Sequence, residues 1–189
     1  HYSLVPVHKQ EDFYNIFATI TNSEDIMSVH HSDTRQSTIP TYESRPNTPP
    51  YNYSSGGNYA WLPNLNSFIG NSWDNNDLRK SFNLYTKYIG PNGDSVSLPS
   101  TIPILFKKFI TSPTGLSNYS VPIYRYTEAF LIYAEASCMA NGSPSELALE
   151  RLNMIKRRAY GYDFSLPSAV DYSSGLNKDA FRDIVLKET

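Results

Sequence analysis

Tyr51, Tyr53, Tyr59, Trp61 and Trp73 crowd one stretch of the chain, interleaved with Asn52, Asn58, Asn71, Asp74 and Asn75. Those residue types suit a neutral sugar. A pyranose ring has apolar C–H faces that a Trp or Tyr ring can cover, and a rim of hydroxyls that carboxamides and carboxylates can bond. Trp61, Trp73, Tyr59, Tyr53, Tyr51, Asn58 and Asp74 are therefore the candidate glycan-binding residues. The alternative is that Trp61 and Trp73 are core anchors pinning a long loop, with the tyrosines at the rim of the core.

Other chemistry finds less support. His30, His31 and Asp33 bring metal to mind, but adjacent residues of a strand point to opposite faces, and no third ligand stands at useful spacing. Glu43, Asp74, Asp77 and Asp94 fall in loops, with nothing to pair two of them across a glycosidic bond. G-x-S-x-G, H-E-x-x-H and phosphate-loop motifs are absent. The expectation is a binding protein, not an enzyme, without cofactor or metal.

Composition agrees. The 189 residues carry 16 Lys+Arg against 18 Asp+Glu, a net charge of −2, which gives no electrostatic footprint for nucleic acid or for an anionic membrane. Only 18% of residues are charged, while 15 Tyr, 9 Phe and 2 Trp make 14% aromatic, so solubility leans on neutral polar side chains. The single cysteine, Cys138, excludes an internal disulfide framework and sits in an apolar helical pattern, as a buried structural thiol would. No apolar run is long enough to span a bilayer.

The elements that must hold these residues are uneven. Phe13, Ile16, Phe17 and Ile20 mark a helix stripe over 10–19, and Asp25–His31 alternates as a strand. Residues 37–66, broken by Pro40, Pro46, Pro49, Pro50 and Pro63, read as a long loop whose aromatics argue for order. Asp77–Phe82 starts a short helix or strand. Ile102–Ile110 reads as a strand, placed at an edge by Pro103, and 112–120 as a loop.

The clearest pattern follows Val121. Tyr126, Ala129, Phe130, Tyr133, Ala136, Ser137 and Ala140 recur at helical spacing, and Gly142 supplies the stop. Ser143 as N-cap, Pro144 in the first turn and Glu146 closing a capping box then start a second helix. Ala148, Leu152, Ile155 and Ala159 form its stripe, and Gly161 ends it. So short a connection makes the pair antiparallel. Ala129, Ala134, Ala136, Ala140, Ala148 and Ala159 allow close approach, and the span of Tyr126–Tyr160 approaches the ~34-residue period of a tetratricopeptide unit. A third helix begins near Asn177, with Ala180, Ile184 and Val185 on its apolar side, and runs to Thr189. On the scaffold, Arg125 and Glu128 read as an i, i+3 pair and Glu135 as a partner for a neighbouring helix.

The run from Pro122 to Ala136 (PIYRYTEAFLIYAEA) resembles the signature helix of the SusD/RagB family, Arg-Tyr-Ala-Glu-x-Leu-Leu-x-Tyr-Ala-Glu-Ala. Leu149–Ala159 (LERLNMIKRRA) is similar to the family's next helix, with its Leu-Asn-x-Ile-Arg-x-Arg-Ala pattern. Phe181–Glu188 resembles the helix after that, departing from it at Thr189. Glu24–Val29 resembles the family's strand after a short helix, and Asp77-Leu78-Arg79 its Asp-Pro-Arg element without the proline.

The resemblance implies a mainly α protein, SusD-like, with a tetratricopeptide-like helical hairpin scaffold, a long loop-rich segment and a few short strands. It implies a loop-rich ligand-binding segment over 1–120, and over 121–189 the hairpin with the start of a third helix. It implies a surface-exposed outer-membrane lipoprotein of nutrient uptake and polysaccharide utilisation, anchored by a lipid attached outside this chain. Its ligand would be an oligosaccharide or polysaccharide, starch-like or otherwise, and its partner a SusC-like TonB-dependent transporter. Binding loops differ between members, so the family does not fix the sugar-binding residues. A peptide- or protein-binding helical repeat on the same scaffold is the other expectation, since such grooves hold peptides.

Overall fold

A computed structural model describes residues 1–17, 19, 21–32, 34–35, 61–62, 72–89, 92–100, 103–106, 108 and 121–189. Its regular structure is mainly helical. After a 3-10 segment, Gln10–Phe13, come α1 (Tyr14–Phe17), β1 (Asp25–Val29), β2 (Trp61–Leu62), α2 (Leu78–Asn83), β3 (Leu84–Tyr85), β4 (Lys87–Ile89), β5 (Ser95–Ser97), β6 (Ile104–Phe106), β7 (Val121–Arg125), α3 (Tyr126–Asn141), α4 (Glu146–Ala159) and α5 (Lys178–Glu188). Among the described residues no helix is long and apolar enough to cross a membrane.

The chain divides into two compact units. The first comprises His1–Asp12, Asn22–Ser28 and Pro122–Thr189. Its core lies between α3, α4 and α5, where Phe130, Leu131, Ala134, Cys138, Ala148, Leu152, Ile155, Phe181 and Val185 close around Leu4. The expected α4 stripe of Ala148, Leu152, Ile155 and Ala159 is fully buried. The α3 stripe differs. Thr127, Phe130, Leu131, Ala134 and Cys138 face inward, while Tyr133 is 41% exposed and Ala129, Ala136 and Ala140 are exposed. Apolar residues lie nearly all round this helix, so spacing alone did not select its buried face.

Gly142 takes the left-handed conformation at φ 75° and stops α3. The cap of α4 lies two residues beyond the expected one. Ser145, not Ser143, accepts the Ala148 N–H at 3.2 Å, and Glu146 opens the helix, where its charge meets the positive end of the helix dipole. Gly161, at φ 77°, closes α4 in a Schellman turn: Tyr162 N–H donates to Arg157 O at 2.9 Å and Gly161 N–H to Arg158 O at 3.1 Å. Asn177 caps α5 by accepting from Ala180 N–H at 2.9 Å. The anchor of α5 is Phe181, beside the expected Val185.

Two arginines at the end of α4 organise the surrounding chain. Arg158 forms a buried ion pair with Glu24 and donates to Thr127 Oγ1 at 2.9 Å. Thr127 in turn donates to Glu24 Oε2 at 2.6 Å, and the Val5 N–H donates to Glu24 Oε1 at 2.8 Å. Arg157, 1% exposed, forks between Asp171 at 2.5 Å and Glu150 at 2.7 Å and donates to Phe164 O at 3.1 Å. It thereby fastens the irregular connection between α4 and α5. Arg125 and Glu128 pair at 3.1 Å, and Glu135 reaches Arg182 of α5 at 3.6 Å, both in the structural roles expected of them. β1 and β7 form a two-stranded sheet. β7, which includes Pro122, leads directly into α3.

The second unit comprises Phe13–Thr21 and Val29–Val121. Its three-stranded sheet runs in the order β2-β6-β3, with antiparallel pairs Trp61↔Leu105, Leu62↔Ile104, Leu84↔Phe106 and Tyr85↔Leu105. β6 is thus central, not at an edge. Pro103 lies one residue ahead of the strand, so its missing N–H falls outside the ladder, and Ile104 and Leu105 are buried. β4 and β5 form a separate hairpin. The expected helix over 10–19 is a 3-10 turn followed by one α-turn, with Phe13, Ile16 and Phe17 buried as its stripe required.

Candidate functional site

In the second unit the candidates Trp73 and Asp74 stand just ahead of α2. Six residues make a helix too short to persist by itself. Phe82 holds it, 2% exposed, with its ring 5.3 Å from Phe13, 5.1 Å from Tyr14 and 5.7 Å from Phe17. α2 then runs directly into β3, so the helix is fixed to the sheet as well.

Asp77 caps α2, and its two oxygens have several partners. Oδ1 accepts from the Arg79 main-chain N–H at 2.9 Å, and Arg79 Nη2 pairs with Oδ2 at 2.6 Å. The indole Nε1–H of Trp73 also donates to Oδ2, at 2.9 Å. The Asp-x-Arg element is thus a cap that also pins an aromatic ring.

From the other side, Lys80 Nζ donates to Trp73 O at 2.7 Å and to Asn75 Oδ1 at 2.8 Å. Asp74 Oδ1 accepts the Asn76 N–H at 2.9 Å, and Asp74 O accepts the Asp77 N–H at 3.2 Å. The result is a stitched turn in which Trp73 is half-buried and Asp74 and Asn75 are exposed.

Of the residues singled out from the sequence, Trp73, Asp74 and Asn75 therefore stand together. Trp61 lies on β2, and its main chain pairs with Leu105. β2 and β3 flank β6, which sets Trp61 and the end of α2 on opposite edges of one sheet, about 10 Å apart strand to strand. Tyr51, Tyr53, Tyr59, Asn52, Asn58 and Asn71 lie outside the described residues, as do Glu43 and Asp33. β1 ends at Val29, so His30 and His31 follow the strand instead of alternating along it. Asp94 is exposed in the turn between β4 and β5. Sequence reasoning missed Lys80 and the double role of Asp77. The spacing of four from Trp73 to Asp77, next to a capped helix, was the available signal.

The SusD family model matches residues 16–189, and the chain belongs to that family. No curated protein sequence matches it. A SusD superfamily protein from Parabacteroides distasonis is 24% identical with a TM-score of 0.63, covering 87% of this chain and 35% of that one. A SusD homolog from Bacteroides thetaiotaomicron is 18% identical with a TM-score of 0.74, covering 99% of this chain and 42% of that one. Surface glycan-binding protein A from Bacteroides thetaiotaomicron, solved in complex with laminarihexaose, is 18% identical with a TM-score of 0.62, covering 99% of this chain and 43% of that one. At such identities the likeness is one of fold. The chain spans less than half the length of each of these solved relatives.

Proposed function

We propose that this chain belongs to a surface-exposed, lipid-anchored binding protein of the outer membrane that captures neutral oligosaccharides and passes them to a SusC-like TonB-dependent transporter. It acts by binding and positioning, without catalysis. Membership of the SusD family supports the reading, as does the laminarihexaose complex of a relative with the same fold. The observation within this chain that carries it is the pinned turn of Trp73. An indole whose edge is fixed by a buried carboxylate presents a pre-oriented ring, and pre-orientation lowers the entropy lost on binding. Trp61, Tyr59, Tyr53, Tyr51 and Asn58 complete the proposed surface, with Asp74 bonding hydroxyls beside Trp73.

Calorimetric titration of the intact protein with neutral hexasaccharides, laminarihexaose among them, tests the reading. Binding of at least one, weakened in Trp73→Ala by about 1–3 kcal/mol as for other aromatic stacking platforms, is the expected result. Failure of every neutral glycan to bind overturns it.

A further inference from the structure

We propose that Lys80 is the positioning residue of the Trp73 turn, and that together with Asp77 it sets this turn for neutral rather than anionic sugars; the proposal rests on the glycan-capture reading. Lys80 sits on α2, which the Phe82 cluster anchors, and its ammonium spans from Trp73 O to Asn75 Oδ1. An ammonium offers only donors, so the carboxamide oxygen of Asn75 must face it. The NH2 of Asn75 is then turned away from Lys80, and that exposed residue offers a donor to ligand. Asp77 fixes the indole edge at the same time. Ring, donor and the exposed Asp74 carboxylate are thereby held in one arrangement, which matches the C–H face and hydroxyl rim of an uncharged sugar.

Among the described residues, the cations beside this turn are already engaged. Arg79 forks onto Asp77, and Lys80 is held by Trp73 and Asn75. A uronate or other acidic sugar needs a guanidinium fork or an ammonium for its carboxylate. Here it would have to strip Lys80 from two short hydrogen bonds while lying beside Asp74. A second role for Lys80, as direct ligand to sugar hydroxyls, would make the same two bonds obstacles.

The test compares the intact wild-type protein with Lys80→Met, Lys80→Arg and Trp73→Ala against a panel of neutral hexasaccharides (laminarihexaose, maltohexaose, cellohexaose, xylohexaose) and against hexagalacturonate. Acrylamide quenching of Trp73 without sugar, taken as the difference between each protein and the same protein carrying Trp73→Ala, reports the freedom of the turn. The expected results are preference for a neutral hexasaccharide over hexagalacturonate, about tenfold weaker binding in Lys80→Met with its melting midpoint nearly unchanged, increased quenching in that variant, and partial recovery of both in Lys80→Arg. Wild-type affinity in Lys80→Met, with binding lost in Trp73→Ala, overturns the role of Lys80 and leaves the glycan reading standing. Equal binding of hexagalacturonate overturns the selectivity. Neutral binding untouched by Trp73→Ala removes Trp73 from the site and this proposal with it, whereas no neutral binding at all overturns the glycan reading itself.

Discussion

Glu24 and Arg158 meet as a buried ion pair across 134 positions of sequence, with side chains 0% and 5% exposed. Thr127 and the Val5 N–H complete the coordination of the carboxylate. Removing one partner strands the other in a site from which water is excluded. Arg158→Met is expected to destabilise the fold by about 3–5 kcal/mol, and Glu24→Gln by less, because the amide keeps an oxygen for Val5 and Arg158. The double variant should recover part of the loss. Urea unfolding followed by far-UV circular dichroism measures all three, and a loss under about 1 kcal/mol in Arg158→Met would show the pair to be dispensable.

The neighbouring arginine predicts a pH dependence. The Arg157 guanidinium holds the Asp171 carboxyl below its ordinary value, against the opposing effect of burial, and its own pKa rises in return. A carboxyl whose folded pKa is depressed contributes stability above its unfolded value, near 3.9, and loses it as pH falls through the folded value. Stability should therefore drop below about pH 4, with a shallower drop in Asp171→Asn. Chemical denaturation at a series of pH values between neutrality and strong acid separates the two slopes.

Gly142 offers a purely conformational test. Nothing lies within 4 Å of a Cβ built there, so Ala would meet no clash, yet φ is +75°. Gly142→Ala should cost about 1–2 kcal/mol through the backbone alone. An unchanged melting midpoint would mean that the end of α3 relaxes into another turn.

Phe181 is the large side chain that fastens α5, and it is 0% exposed. Phe181→Ala should destabilise by about 3–5 kcal/mol through lost burial and the cavity left behind. Amide exchange would locate the loss: α5 should open first, since the lost contacts are its own.

What could be read in advance followed local signals. The α4 stripe, the glycine stops and the Arg125–Glu128 pair depend on residues a few positions apart, and the structure has them as the spacing required. The signature run identified the family for the same reason. The cap of α4 slipped from Ser143 to Ser145 because both are N-cap residue types and Glu146, three positions after Ser143, favoured the first. The buried face of α3 was misjudged because Tyr133 and Ala136 are as acceptable on a surface as in a core. β6 was placed at an edge because Pro103 was counted within the strand.

Nothing local announces that Glu24 will need Arg158, or that Asp77 will bond an indole as well as cap a helix. Those pairings exist only once the chain has folded. Trp73, Asp74 and Asn75 were legible as a group by composition. The lysine that holds them was not, because a lysine on a short helix ordinarily reads as a solvated charge.

The reach of the Glu24–Arg158 contact also bears on synthesis. At about 5–20 residues per second, a ribosome making this chain releases Glu24 on the order of ten seconds before the last turn of α4. During that interval the carboxylate remains hydrated and the first unit cannot close. Its consolidation therefore waits until α4 has been made, and over that interval the nascent segment is open to chaperones.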